Sequence, residues 1–116
     1  MRIQTKGRNI SVSDELREHV EKRFLKISKQ VSELARLEVE VWHEPNPRIA
    51  DSEVVEATLH VKGRPPLRAR DASPNMDHSV NLVYEELARQ VKRHKAKQRH
   101  RREQRAAHAH GVSPAL

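Results

Sequence analysis

The sequence predicts an α+β fold in which a four-stranded mixed sheet carries two helices on one face, in the order β-α-β-β-β-α. Three observations support it: two segments have apolar residues at helical spacing, four short segments alternate apolar and polar residues, and turn-forming residues separate them. The chain has 116 residues, enough for one small domain, and only 35% of them are hydrophobic. Short strands and amphipathic helices must therefore supply the core.

The first strand and the first helix come from the first 31 residues. In MRIQTKGR, Ile3 and Thr5 alternate with polar and cationic residues, as in a half-buried strand. Ser13 or Ser11 is the expected N-cap of a helix over residues 14 to about 31. The apolar stripe of this helix consists of Leu16, Val20, Phe24, Ile27 and Val31.

Three further strands are predicted in ARLEVEVWHE, EVVEATLHVKG and LRARD, separated by the loops PNPRIADS and KGRPP. The helical crossover makes the first two strands parallel, and the later strands form a meander. Trp42 falls on the face opposite the apolar residues, and that outer face is expected to be polar and open. The inward residues are Leu37, Val39, Val41, Val55, Ala57, Leu59, Val61, Leu67 and Ala69.

The second helix is expected to be longer than the core that it covers. Ser73 is the predicted cap, and Pro74 suits the first turn. The apolar stripe consists of Met76, Val80, Val83, Leu87 and Val91, and the same face continues as His94, Gln98, Arg101 and Arg105. Roughly three turns should therefore project past the core. The domain is predicted to span residues 1–103, followed by a disordered tail over residues 104–116.

The positive charge of the protein is local. The chain carries a formal net charge of +7, and residues 89–105 contain 9 of its 23 Lys and Arg residues but only 1 of its 16 acids. The remainder has 14 bases and 15 acids, a net charge of −1. Helix-dipole complementarity acts only within the last turn, and like charges four residues apart destabilise a helix. A polyanion is the expected compensation.

RNA bound through its backbone fits this pattern best. A membrane-surface helix would continue its apolar stripe through the basic part, and no helix-turn-helix or zinc module for DNA is visible. The chain has no cysteine, its 8 histidines are scattered, and its 3 glycines stand alone, so we expect no metal, no cofactor and no enzymatic activity. A general double-stranded-RNA-binding module or RNA chaperone, and an RNA-acting enzyme, remain alternatives. No segment is apolar enough for a membrane span or a signal peptide, which favours a soluble cytoplasmic protein.

Three segments carry a family resemblance: KGRNISVSDELREHVEKRF (residues 6–24), EATLHVKG (56–63) and, most specifically, LARQVKRHKAK (87–97). With them, residues 1 to 99 resemble the N-terminal ribosome-binding domain of the ribosome hibernation-promoting factors, also called ribosome-associated inhibitors or light-repressed proteins. The resemblance implies the same β-α-β-β-β-α fold and a binding role. Such proteins dock on the small ribosomal subunit between head and body, where they overlap mRNA and the A-site and P-site tRNAs, block translation and protect idle ribosomes.

The resemblance also implies which residues contact rRNA. By motif match these are Arg23, Lys26, Arg89, Arg93, Lys95 and Lys97, and the local charge pattern adds Lys92 and Arg99. The start of the second helix departs from the family's Asp-Met-Tyr-x-x-Ile-Asp pattern, with Asn75, Asp77 and Asn81 in place of Asp, Tyr and Asp, and Glu86 replaces a common basic residue. Some members carry a further domain that pairs two ribosomes. This chain ends at Leu116 without one, as either a short form or a fragment of a longer form would. We expect a monomer off the ribosome, because few large apolar residues remain once the inward faces are assigned and the positive helix end opposes self-association.

Overall fold

The computed structural model describes the chain through Ala109, with side chains through Ala106. Its elements are β1 (Arg2–Arg8), α1 (Asp14–Ser28), β2 (Arg36–His43), β3 (Glu53–His60), β4 (Leu67–Ser73) and α2 (Met76–Ala109). The predicted element order is confirmed. Helix α2 runs through residues 104–109 of the predicted tail, because neither Pro nor Gly interrupts it before Gly111. The rest of that tail, residues 110–116, lies outside the described residues.

The sheet has the strand order β1-β2-β3-β4. Strand β1 pairs in parallel with β2, with Ile3 opposite Leu37. The pairs β2–β3 and β3–β4 are antiparallel and place Ala57 opposite both Val39 and Ala69. The predicted mixed sheet is therefore confirmed, and its inward positions fall in register across all four strands.

Both helices cover the apolar face of this sheet. The fully buried side chains include Phe24 of α1, Leu37 and Leu59 of the sheet, and Leu87 of α2. Burial of such a side chain stabilises the fold by roughly 1.5–3 kcal/mol. On α2 the apolar stripe is buried as far as Val91, while the next residues on that face are only half-buried. The core thus ends where the basic part of α2 begins.

Helix α1 has the predicted start and a shorter end. Ser13 is the N-cap, and its hydroxyl accepts a hydrogen bond from the Leu16 amide at 3.1 Å. The helix ends at Ser28 instead of near residue 31, because the Gln30 amide donates to the Ile27 carbonyl and closes a tight turn. Val31 still packs against the core from beyond this turn.

The predicted cap of α2 is wrong by two residues. Ser73 is the last residue of β4, and its buried hydroxyl lies 2.7 Å from the hydroxyl of Ser79. Asn75 caps the helix instead, since its side-chain oxygen accepts a hydrogen bond from the His78 amide at 3.1 Å. Pro74 therefore precedes the cap. Asn and Asp cap helices about equally well, so the departure at Asn75 preserves the start of α2.

One end of the outer sheet face is not open. Trp42 is only 6% exposed, because the guanidinium groups of Arg8 and Arg70 lie 3.9 and 4.9 Å from its ring centroid. The expectation of an uncovered Trp42 is therefore wrong. Arg8 also pairs with Glu40 at 2.5 Å, and Arg70 approaches Glu56 at 4.0 Å. Long cationic side chains on the edge strands fold over the aromatic ring, which a strand pattern does not reveal.

Candidate nucleic-acid interface

In both helices the first part contains the acids Asp and Glu, and a later stretch contains only basic charged residues. Helix α1 opens with Asp14 and Glu15, whereas no acid occurs between Glu21 and Glu33. Helix α2 has no acid over residues 87–102, a stretch with eight cations. Each helix therefore has a positive C-terminal half, which the negative end of its dipole favours.

The packing of the helices brings these positive halves to the same end of the molecule. The rings of Phe24 and Tyr84 meet edge to face, with centroids 5.8 Å apart. Just past the end of α1, Gln30 shares a groove with Lys92 and Lys95, which lie further along α2. Successive residues of α1 thus meet successive residues of α2, and the two helices run in the same direction.

Tyr84 is the contact between the cations of α1 and helix α2. The Arg23 guanidinium lies 5.7 Å from its ring centroid, and the Lys26 ammonium lies 6.0 Å from it. Both distances are within the range of cation–π attraction. The two α1 residues that the resemblance assigns to rRNA are therefore held on the side of α1 that faces α2.

Beyond Tyr84, helix α2 and the turn that follows α1 border a groove of about 450 Å³. Its lining consists of Gln30, Lys92, Lys95, Ala96, Gln98, Arg99 and Arg102. Three of the predicted contacts, Lys92, Lys95 and Arg99, line this groove. Arg102 was missed at the sequence level, although its spacing of three residues from Arg99 places it on the same side of α2.

Two predicted residues lie on the opposite side of α2. Arg93 and Lys97 line a hollow of about 270 Å³ together with Leu67, Gln90 and His94. The Gln90 side chain donates to the Arg68 carbonyl at 2.6 Å and ties this side of α2 to β4. Arg89 is exposed, and its position between the buried Leu87 and Val91 turns it away from the sheet.

A further cation joins the interface from the turn between β3 and β4. Arg64 shares a hollow of about 200 Å³ with Gln98, Arg101, Arg102 and Arg105. The turn KGRPP contains no helical or strand periodicity, so the sequence pattern offered no signal for this neighbourhood. The eight predicted residues do not form one cluster. Three of them line the groove, Arg23 and Lys26 lie at Tyr84, two lie on the other flank of α2, and Arg89 faces outward.

His94 marks the point where α2 leaves the core. Burial lowers the pKa of His94 below its ordinary value of 6.5, and the nearby charges of Arg64, Arg101 and Lys97 lower it further. Its Nε2 atom is buried without a hydrogen-bond partner. A neutral imidazole is therefore favoured at the base of the projecting helix.

The ion pairs of the described part of the chain all lie on the sheet. They join Arg8 to Glu40, Arg36 to Glu38, His43 to Glu53, His60 to Glu38, and Arg70 to Glu56. Among residues 1–106, no cation of α1 or α2 has a carboxylate partner within ion-pair distance. The outer sheet face is thus neutralised internally, while the positive helix halves remain available to an external anion.

Two other kinds of site find no support in the described residues. Within residues 1–109, no helix combines the length and the apolar character that crossing a membrane requires. In the same part of the chain, no three His, Cys, Asp or Glu side chains gather as metal ligands would. The arrangement suits a ligand that spreads negative charge over an extended surface.

Residues 3–99 match the family described as sigma 54 modulation protein / S30EA ribosomal protein, and the chain belongs to this family. The chain is 31% identical over 98 residues to the ribosome hibernation promotion factor of Picosynechococcus, covering 84% of this chain and 50% of that protein. It is 30% identical over 97 residues to the ribosome hibernation promoting factor of Salmonella typhimurium, covering 84% of this chain and 96% of that protein. The chain spans about half the length of the first curated relatives it matches.

Solved structures show the same fold. A ribosomal subunit interface protein from Coxiella burnetii superposes with a TM-score of 0.69 at 23% identity, covering 83% of this chain and 99% of that one. The N-terminal domain of Thermus thermophilus Protein Y gives a TM-score of 0.66 at 21% identity, with 80% and 98% covered. At these identities the likeness concerns the fold alone.

Proposed function

We propose that this protein binds the small ribosomal subunit through its two basic helices, occupies the channel of mRNA and of the A-site and P-site tRNAs, and thereby silences translation and preserves idle ribosomes. One observation carries the proposal: parallel packing brings the acid-free stretches of α1 (residues 22–28) and α2 (residues 87–102) to one end, and their cations have no carboxylate partner among the described residues. The names of the relatives, ribosome hibernation factors and a ribosomal subunit interface protein, support it.

The proposed contact is electrostatic and does not depend on base identity. Lys and Arg dominate the positive helix halves, and the Tyr84 ring beside them is engaged by Arg23, Lys26 and Phe24. Backbone recognition of folded rRNA requires cations on a rigid surface more than stacking side chains. The proposed contacts are Arg23, Lys26, Arg89, Lys92, Arg93, Lys95, Lys97 and Arg99.

Co-sedimentation with purified ribosomal subunits tests this function. We expect saturable binding near one protein per vacant small subunit, weak binding to large subunits, and loss of binding when mRNA and P-site tRNA are loaded first. A density map of the complex would then place α1 and α2 in the channel.

The control for the alternative function is free duplex RNA at the same salt concentration. Equal affinity for duplex RNA and for small subunits, without saturation at one copy, would contradict the proposal. It would favour a general double-stranded-RNA-binding module or RNA chaperone.

A further inference from the structure

Gln90 is an uncharged residue inside LARQVKRHKAK, the segment that most specifically carries the family resemblance. Leu87 and Val91 on either side of it are buried in the core, and four of the six residues that follow Val91 are Lys or Arg. The side chain of Gln90 is half-buried. Neither the apolar core nor a contact between cations and phosphate requires an amide at this position.

Two residues of α2 hydrogen-bond to strands of the sheet within residues 1–106. Near the start of the helix, the buried Ser79 hydroxyl donates to the Glu53 carbonyl of β3 at 2.6 Å. About 16 Å further along the helix axis, the Gln90 side-chain amide donates to the Arg68 carbonyl of β4 at 2.6 Å. A rod that is attached at two points has a defined direction, so these bonds fix the axis of α2 relative to the sheet.

The bond from Gln90 adds a restriction that the apolar stripe does not supply. Burial of Leu87 and Val91 holds α2 against the sheet, but this attraction is non-directional. A hydrogen bond needs a donor–acceptor distance near 3 Å and a nearly linear angle, and it therefore opposes sliding and rotation of the helix. Strand β4 lies at the edge of the sheet, so some of its carbonyls are free to accept a side-chain donor.

Gln90 lies in the last turn of α2 that packs on the core. Among the described residues, Val91 is the last buried residue of the helix. The basic part from residue 92 to residue 105 extends about 21 Å beyond it at the helical rise. A tilt of about 10° at Gln90 would move the far end by about 4 Å, which exceeds the length of a hydrogen bond. The direction of α2 at Gln90 therefore decides where the distant cations lie.

We propose that Gln90 is a positioning residue: its hydrogen bond to the Arg68 carbonyl sets the direction in which the basic end of α2 leaves the sheet, and its side chain does not contact RNA. This inference rests on the proposed function and deepens it, because it explains how the projecting helix is oriented before it meets its target. A rigid target such as a ribosomal subunit requires cations at fixed places, and preorganisation lowers the cost of binding it. A flexible single strand adjusts to the cations wherever they lie.

Replacement of Gln90 by Met in the full chain tests this role. Gln90→Met keeps the length of the side chain and its helix propensity but removes the donor. Gln98→Met is the matched control, because Gln98 is also half-buried in α2 and has no hydrogen bond to another element within residues 1–106. Affinity is measured for vacant small subunits and for a single-stranded RNA oligomer at one salt concentration. Thermal unfolding verifies that both variants are folded.

The direction of α2 is measured independently with spin labels. The chain has no cysteine, so Lys6→Cys on β1 and Gln104→Cys near the far end of α2 supply two unique, exposed attachment sites. Pulsed electron paramagnetic resonance gives the distribution of distances between the labels. We expect Gln90→Met to broaden or shift this distribution and Gln98→Met to leave it unchanged.

We expect Gln90→Met to bind small subunits about three- to tenfold more weakly than the wild type, as the net contribution of one hydrogen bond predicts, and to bind the RNA oligomer within about twofold of the wild type. Gln98→Met should bind both ligands as the wild type does. Equal losses of Gln90→Met on the two ligands would indicate direct contact with RNA. That result, an unchanged distance distribution, or unchanged affinity for small subunits would each overturn the positioning role.

The two proposals fail in different ways. If the wild-type chain binds small subunits and Gln90→Met binds them equally well, the positioning role is wrong and the proposed function stands. If the wild-type chain does not bind small subunits, the proposed function is wrong, and the distance distribution alone decides whether Gln90 sets the direction of α2.

Discussion

Tyr84 of α2 lies against α1, where it contacts both a core residue and two cations of that helix. Its ring packs edge to face on Phe24 of the core, and the cationic groups of Arg23 and Lys26 lie 5.7 and 6.0 Å from its centroid. The aromatic ring therefore serves stability and also positions two cations. Since these contributions have different chemical requirements, substitutions can separate them.

Replacing Tyr84 by Leu should reduce affinity for small subunits about two- to fivefold, because an exposed cation–π contact contributes about 0.5–1 kcal/mol. Tyr84→Phe keeps the aromatic face and should bind as the wild type does. Equilibrium co-sedimentation at low salt measures the effect, and thermal unfolding reports the cost to stability separately. Wild-type affinity in the Leu variant, or equal losses in the two variants, would show that the ring does not position these cations.

His94 links the fold to pH. Its folded pKa is lowered, first by burial and then by Arg64, Arg101 and Lys97. As the pH falls through the unshifted value of 6.5, the unfolded chain binds more protons than the folded chain, so the free energy of unfolding decreases. The contribution of His94 to stability is therefore present above pH 6.5 and is lost as the pH falls below it.

We therefore expect the melting temperature of His94→Gln to fall less than that of the wild type when the pH is lowered from about 7.5 to about 5.5. His100→Gln, at an exposed position further along α2, is the matched control and should keep the wild-type pH dependence. If the melting temperatures of the wild type and the His94 variant fell equally with pH, His94 would not be the cause of the pH dependence.

At the scale of elements, α2 combines two structural roles. Up to Val91 it closes the core through a buried stripe, and beyond His94 its exposed side chains are mainly cationic. The residues from 92 to 109 extend about 27 Å at the helical rise. The packing part and the binding part of one helix are therefore separated along its axis.

Truncation after His94 removes no residue of the apolar stripe and deletes six cations and one acid of residues 95–105. We expect cooperative thermal unfolding with a change in Tm smaller than about 4–8 °C, which corresponds to about 1 kcal/mol in a domain of this size. Binding to small subunits should fall sharply, because five of the seven residues that line the groove are removed. A truncated chain that melts without a cooperative transition would show that the projecting part also packs on the core.

The described part of the molecule measures 62 × 29 × 19 Å, an elongated shape produced by the projecting end of α2. Its charge is also unevenly distributed. Charged side chains of the sheet form ion pairs, whereas the cations at the end of α2 form none among the described residues. The whole-molecule field should therefore dominate binding to a polyanion.

Binding should accordingly depend steeply on salt. A protein with about 6–10 phosphate contacts loses roughly 10³–10⁵ in affinity between about 50 and about 200 mM salt. Co-sedimentation with small subunits over this range measures the slope, and a neutral crowding agent at constant salt is the control. A flat salt dependence would contradict an interface made of Lys and Arg.

The same whole-molecule view predicts a monomer that does not pair ribosomes by its own dimerisation. The exposed large apolar side chains of the described residues are Leu25, Leu34 and Ile49, which lie on α1 and on two different loops. They form no contiguous patch of the kind that stable dimers use, and Trp42 is covered by two arginines. Sucrose-gradient sedimentation of vacant ribosomes with excess 116-residue chain checks this. A ribosome-pair peak that needs only this chain would identify a missed interface.

Much of the fold could be predicted from particular residues. The stripe from Val80 to Val91 and the alternation about Val39 and Ala57 determine helix and strand because burial of apolar surface follows the backbone period. Boundaries were less predictable: α1 ends at Ser28, and Asn75 replaces Ser73 as the cap. Several polar residues near an element end can all cap it, and only the backbone geometry selects one.

The sequence by itself determined the order of the elements, the buried faces and the concentration of charge beyond Val91, because each depends on the spacing of residues along one segment. Only the tertiary structure decided which cations meet. The packing of α1 beside α2 puts Arg23 and Lys26 at Tyr84, creates the groove with Gln30 and Arg102, and moves Arg93 and Lys97 to the other flank. It also folds Arg8 and Arg70 over Trp42. These contacts join segments that are distant in sequence. A side chain that reaches across to another element leaves no pattern within its own segment, so the sequence of that segment cannot predict the contact.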